Sequence, residues 1–333
     1  MPVAKFKKIL ALVGLLLCLV TAVCIWEKFD HGTVRFLTPQ NIRNLLPWIG
    51  LFGILSLAQS FVIITGGIDL SVGSVVALIA IITSVLMRDK GWHPALALPA
   101  GLILCGIIGC WHGTLVSKAR MQPFVVTLCG LFFYRGIARL ITGDTTRGFG
   151  SPEEFPVLKW LGGGFIPDTG ASLVSVPFVI MLIVAVIVGA YLHFTPHGRH
   201  LFAMGANEEA ARFSGIPVGR AKIAAYTLCS LITGIGGLLI AFNVNSIGPT
   251  DFGSFYELYA IAGVVLGGCS LRGGTGNIAG VVVGASLIVV LKNLVNILEI
   301  PSQLEYVVIG GAILLGVFAD ETLKRKAAAK LGL

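Results

Sequence analysis

The chain has 333 residues, 56% of them hydrophobic and only 12% charged, with a formal net charge of +8. An ordinary soluble domain carries about 25% charged residues, so this sequence lacks the polar shell that a water-soluble core of its size would need. Many of its basic residues flank apolar segments, where they orient helices in a bilayer, and this argues against a nucleic-acid partner.

Crossing the roughly 30 Å hydrocarbon layer takes about 20 apolar residues as a helix. Several uncharged stretches are long enough: Asn44 to Ile68, Leu70 to Met87, Gly91 to Ser117, Thr169 to Gly198 and Ile223 to Thr250. The first apolar run, Ile9 to Trp26, follows Lys5, Lys7 and Lys8. It is too long for a signal-peptide core and no small-x-small cleavage site follows it, so it reads as a retained span. The pattern predicts an all-α polytopic membrane protein of ten spans, near 8–26, 45–65, 70–87, 94–117, 123–141, 173–194, 223–243, 256–270, 276–294 and 303–320.

An even number of spans puts both termini on one side. The basic ends (Lys5, Lys7, Lys8; Lys324, Arg325, Lys326, Lys330) and the loop bearing Arg199, Arg212, Arg220 and Lys222 assign that side to the cytoplasm. The opposite loops collect Glu27, Asp30, Asp144, Glu153, Glu154, Asp168, Asp251 and Glu299. Two connections are long, an outer one at about 142–172 and a cytoplasmic one at about 195–222. Neither can hold a soluble domain, so residues 1–333 form one membrane domain.

Gly276, Gly280 and Gly284 recur at helical spacing on one face, as do Gly101, Cys105, Gly109 and Gly113. Small residues let helix backbones approach in a membrane, so both rows read as packing surfaces. The seven cysteines form no CxxC pair and the six histidines no metal-binding set, so no metal site and no catalytic centre is expected. The glycine-rich run from Arg272 to Gly280 lacks the G-K-[ST] ending of a phosphate loop, so any ATP hydrolysis belongs to another polypeptide.

Two stretches carry the functional signal. In the cytoplasmic loop, Gly205-Ala-Asn-Glu-Glu-Ala-Ala-Arg-Phe-Ser-Gly-Ile-Pro217 spells a short helix. Asn207 caps it, Glu208 and Glu209 suit its positive end, Ala210 and Ala211 favour helix, and Gly215 with Pro217 stops it. So short a helix is unstable alone in water and needs a surface, either its own spans or a partner protein. The second stretch, Thr65-Gly-Gly-Ile-Asp-Leu-Ser-Val-Gly-Ser74, interrupts an apolar run. Gly66 and Gly67 can release one helix, and Asp69 or Ser71 can cap the next. Asp69 is the only charge between Arg43 and Arg88 and so is a functional candidate; the alternative is a helix cap in a tight cytoplasmic turn.

Glu209-Ala210-Ala211 followed by Gly215 resembles the coupling-loop motif of ABC importer permeases. The Gly66-to-Gly73 stretch resembles the G-G-I-D-L-S-V-G segment of their ribose-type sugar branch. Met121-Gln-Pro-Phe-Val-Val-Thr-Leu128 and Val265-Leu-Gly-Gly-Cys-Ser-Leu-Arg-Gly-Gly274 resemble two further landmarks of that branch, in the same order. The resemblance implies a ten-helix permease in the bacterial inner membrane, paired with a second permease copy or paralogue. It also implies two cytoplasmic ATPase subunits that use ATP and Mg, and an extracytoplasmic sugar-binding protein; this chain itself would bind no cofactor. A neutral sugar needs neutral hydrogen-bonding groups along its path. Candidates are Gln59, Thr65, Ser71, Thr127, Asn243 and Asn293, each also readable as a helix-packing polar residue. Alternatives are a permease for branched-chain amino acids or nucleosides, or an ion-gradient transporter, which would be expected to carry paired embedded carboxylates.

Overall fold

The computed structural model describes residues 2–30, 32–151, 153–168 and 172–311, with 314 and 318. In chain order the helices are α1 (Pro2–Asp30), α2 (Pro39–Ile64), α3 (Val72–Arg88), α4 (Pro94–Ser117), α5 (Pro123–Thr142) and α6 (Pro156–Gly163). A two-residue hairpin follows, β1 (Phe165–Ile166) antiparallel to β2 (Val174–Ser175). Then come α7 (Val176–Phe194), α8 (Pro196–Ala206), α9 (Glu208–Phe213), α10 (Val218–Val244), α11 (Tyr256–Leu266) and α12 (Ile278–Ile297). A 3-10 turn at Ser302–Leu304 leads into helix at 305–311.

Local chemistry sets many of the helix starts. Six helices carry proline in the first turn, where a missing N–H costs nothing. Thr38, Ser175, Thr195, Asn207 and Asn277 each accept a backbone N–H of the helix that follows them.

Among the described residues seven helices are long and apolar enough to cross a membrane: α2, α4, α5, α7, α10, α12 and the 10–30 part of α1. This is consistent with a polytopic membrane protein and does not confirm the expected count of ten spans. The segments expected at 70–87 and 256–270 fold as the shorter apolar helices α3 and α11. The tenth, 303–320, is described only to 311 and at 314 and 318; the basic cluster from Lys324 to Lys330 lies outside the described residues. Both long connections are structured: that at about 142–172 holds α6 and the hairpin, that at about 195–222 holds α8 and α9.

α2 is the axis of the bundle. Its most apolar window is 94% buried, and α7, α10, α11 and α12 pack around it. The small-residue rows do bring backbones together. Gly109 and Gly113 set α4 against Tyr226 and Ile223 of α10, while Gly280 and Gly284 set α12 against Gly267 and Gly263 at the end of α11. A Cβ on Gly284 would fall on the Gly263 carbonyl oxygen, a backbone atom that cannot swing aside. Gly284→Val should therefore destabilise the bundle by about 1–3 kcal/mol, seen as a lower unfolding temperature of the detergent-solubilised protein by tryptophan fluorescence.

Candidate functional site

Two regions answer to the two sequence stretches. At one end of the bundle, α8 and α9 project from α7 towards α10. Asn207 Oδ1 accepts the Ala210 N–H at 2.9 Å, and Ser214 Oγ donates to the Ala210 carbonyl at 2.8 Å. Gly215, at φ 82°, makes the left-handed stop that a residue with a Cβ resists. Glu208 ties the helix to its base, with Lys222 Nζ of α10 at 2.7 Å and Arg212 at 3.1 Å. Ala211 is buried against that base. The outward face carries Glu209, exposed and without an ion pair among the described residues, and Phe213, which is 92% exposed. A helix of six residues is thus held from behind and presents one acid and one large apolar side chain to its surroundings.

Near that same end, α2 stops at Ile64 and the chain turns back through Thr65 and Gly66. It does not form a simple surface turn. Gly67 to Ser71 runs without helical structure back into the bundle, and α3 begins only at Val72. Non-helical backbone at membrane depth must have its polar groups satisfied by protein or water. Here Thr127 Oγ1 of α5 donates to the Ile68 carbonyl at 3.1 Å, and Gln59 Nε2 of α2 donates to the Asp69 carbonyl at 3.2 Å. Asp69 is buried, and its Oδ1 accepts both the N–H and the hydroxyl of Ser71, at 2.8 and 2.6 Å. Tyr226 Oη lies against Gly67, buried and with no hydrogen-bond partner among the described residues.

A second irregular segment meets this one from the opposite end. After α10 the chain pairs with the 142–172 connection through Ile247 and Arg147, then runs through residues 248–255 until Gly253 touches Gly73. There α11 begins. Its first-turn Glu257 is buried with Oε2 on the spot that a Cβ of Gly73 would take, so the carboxylate sits at the positive end of α3. Arg135 of α5 donates to the carbonyls of Phe252 at 2.6 Å and Pro249 at 3.2 Å, holding the 248–255 segment. The start of α3 lies 17 residues, roughly 25 Å at 1.5 Å per residue, from Arg88 at the other end. The two shorter helices therefore start side by side within the bundle, with Asp69 and Glu257 both at the start of α3.

Gln59, Thr65, Ser71 and Thr127, with Gly66, Gly67, Asp69 and Gly73, are thus gathered around one broken segment. Asn243 is not among them. It lies at the opposite end, donating to the Gly162 carbonyl at 2.9 Å beside a cavity of about 230 Å³ lined by Phe149, Phe155, Phe242 and Lys159. Asn293 pairs with Asn41 of α2. At that opposite end Arg88 pairs with Glu154, and Arg139 pairs with Asp144, holding its carboxyl below the usual aspartate range. Arg135 and Glu257 fall near the ends of the spans expected at 123–141 and 256–270. The turn-rich run Gly248-Pro249-Thr-Asp-Phe-Gly-Ser254 before Glu257 is the signal that marks the break.

The Asp69–Ser71 contacts give a direct test. Asp69→Asn keeps an oxygen acceptor, whereas Asp69→Val leaves two buried donors orphaned. The valine variant should be less stable than the asparagine variant by about 1–3 kcal/mol, measured as the difference in unfolding midpoint of the purified proteins.

Comparison with known proteins places this architecture. Residues 41–317 match the family described as branched-chain amino acid transport system / permease component. The ribose import permease protein RbsC of Bacillus subtilis is 38% identical over 286 residues, 86% of each chain. That of Escherichia coli K12 is 37% identical over 287 residues, 86% of this chain and 87% of the other. The xylose transport system permease protein XylH of Escherichia coli K12 is 30% identical over 347 residues, 87% of each. No solved structure matches. With a family match running from the first turn of α2 to residue 317, this chain belongs to the branched-chain amino acid transport system / permease component family of membrane permeases.

Proposed function

We propose that the chain is the membrane-spanning subunit of an ATP-binding cassette importer that carries a monosaccharide, of the ribose or xylose kind, into the cell. The observation that carries this reading is the similarity, at 30–38% identity over 86–87% of the chain, to permeases named for those two sugars. The exposed face of α9 supports the coupling role: a helix this short, pinned by Glu208 to Lys222, gains nothing for its own fold from an exposed phenylalanine. In this reading the α9 end faces the cytoplasm, with both termini. Asn207, Glu208, Ala210, Ala211 and Gly215 shape and hold the helix, while Glu209 and Phe213 contact a separate ATPase subunit, which uses ATP and Mg. An extracytoplasmic sugar-binding protein delivers the solute at the opposite end, and a second permease copy or paralogue completes the pathway.

Transport would proceed by movement of α9. Nucleotide binding in the partner closes it and displaces the docked helix; α8 passes the displacement into the bundle, which switches between outward-open and inward-open states. Gln59 and Thr127 donate to carbonyls of the broken segment, Thr65 to the Val62 carbonyl of α2 and Ser71 to the Asp69 carboxylate, so in this state they shape the bundle around a path rather than offering free groups to a sugar.

Two measurements test the reading. Glu209→Lys and Phe213→Ser should each lower ATP-driven uptake of ribose or xylose roughly tenfold or more, as expected of an interface anchor, while membrane insertion is unchanged; wild-type uptake by both would remove α9 from the coupling role. Uptake by proteoliposomes holding the complete transporter should fail with vanadate and survive a protonophore. The reverse pattern would favour the ion-gradient reading, for which the buried pair Asp69 and Glu257 is the one structural argument.

A further inference from the structure

Gly205 is the next-to-last residue of α8, two positions before the Asn207 that caps α9. Its Cα rests directly on the end of α2: a Cβ built there would fall on the Ile64 carbonyl oxygen and 2.5 Å from the Gly274 nitrogen. That nitrogen donates to the same Ile64 carbonyl at 2.9 Å. From the loop between α11 and α12, a Cβ on Gly273 would come 2.7 Å from the Gly66 nitrogen and 2.8 Å from the Gly205 carbonyl oxygen, and one on Gly274 would come 2.7 Å from the Ala206 Cα. Gly66, Gly273 and Gly274 all have positive φ, between 74° and 83°. Three chain segments distant in sequence therefore touch backbone to backbone at one point.

We propose that this knuckle, with Gly205 as its positioning residue, is the joint through which displacement of α9 enters the bundle; the inference rests on the coupling role assigned above to α9. A side-chain contact can absorb a small displacement by changing rotamer. Backbone atoms in van der Waals contact and joined by a hydrogen bond cannot, so the three segments move together. Two arms lead from the joint. One runs from Ile64 through the broken segment to the start of α3. The other runs from Gly274 back through α11, whose lead-in residue Gly253 packs backbone to backbone on Gly73 at that same helix start. Both arms end on α3, so a shift at the joint acts on the base of that helix from two sides.

The test uses the complete transporter with its ATPase subunits and binding protein in proteoliposomes, with ribose and xylose as probes. Gly205→Ala should lower ATP-driven uptake, and the stimulation of ATP hydrolysis by sugar-loaded binding protein, roughly tenfold, the scale of a coupling loss. The ATPase subunits should still co-purify with the permease at the wild-type ratio. Gly136→Ala, where the added Cβ meets nothing, should behave as wild type. Near wild-type uptake by Gly205→Ala overturns the joint, and so does uptake loss accompanied by loss of the ATPase subunits, which would make Gly205 a docking residue. Should Gly205→Ala fail to insert, the wild-type complex decides by hydrogen exchange. The Gly274 amide should stay protected in both nucleotide-free and ATP-bound states; protection lost in one state means the joint opens and transmits nothing. If wild-type permease retains no ATPase subunit at all, it is the assigned importer function that fails.

Discussion

Non-helical backbone inside an apolar bundle has to find its hydrogen-bond partners within the protein, and that requirement organises the centre of this molecule. Two irregular segments, 67–71 and 248–255, enter from opposite ends and meet at Gly73 and Gly253. Each is held by side chains from a neighbouring long helix: Gln59 of α2 and Thr127 of α5 for the first, Arg135 of α5 for the second. The glycines follow from the same requirement. A Cβ at either Gly73 or Gly253 would overlap the backbone of the other, so the two helix starts can meet only where neither residue has a side chain.

The carboxylates belong to this arrangement. The start of a helix leaves N–H groups unsatisfied, and inside a bundle water is not there to take them. Asp69 accepts the Ser71 N–H and hydroxyl and Glu257 packs against Gly73, so two acids gather at one buried helix start. Their burial is then understandable without a bound ion. Each lies at the positive end of a helix dipole, and Arg135, fixed on the neighbouring carbonyls, supplies a compensating positive charge from α5.

Much of this was readable in the sequence, and the reason is locality. Asn207, Glu208 and Gly215 specify α9 within nine residues, because caps and left-handed stops depend only on near neighbours. The glycine rows on α4 and α12 were readable as packing faces for the same reason. What escaped was long-range. The apolar run from Val72 to Arg88 and that from Tyr256 to Leu266 look like spans by composition, and only the meeting of Gly73 with Gly253 shows that both helices begin inside the bundle. Composition also cannot rank helices by depth. α2 and α4 are similarly apolar, yet the best window of one is 94% buried and that of the other 28%. Lipid and protein interior are equally apolar surroundings, so hydrophobicity carries no record of which a helix faces. For the same reason the roles of Arg135 and Glu257 could not be read from position along a span.

The two energy sources open to a membrane carrier make different demands on buried charge. A carrier driven by an ion gradient needs an acid that is alternately occupied and emptied, which requires access and a structure that tolerates both states. Asp69, 1% exposed with its Oδ1 committed to both donors of Ser71, meets neither condition, since losing its charge would weaken the hydrogen bonds that start α3. Glu257 is buried nearly as completely, against Gly73. The freely presented chemistry lies elsewhere, on the outward face of α9, where Glu209 is exposed without an ion pair among the described residues and Phe213 is 92% exposed. A molecule whose internal acids are fixed in its framework, and whose unspent groups project at one end, is arranged to take its work from outside by contact rather than from an ion passing through it.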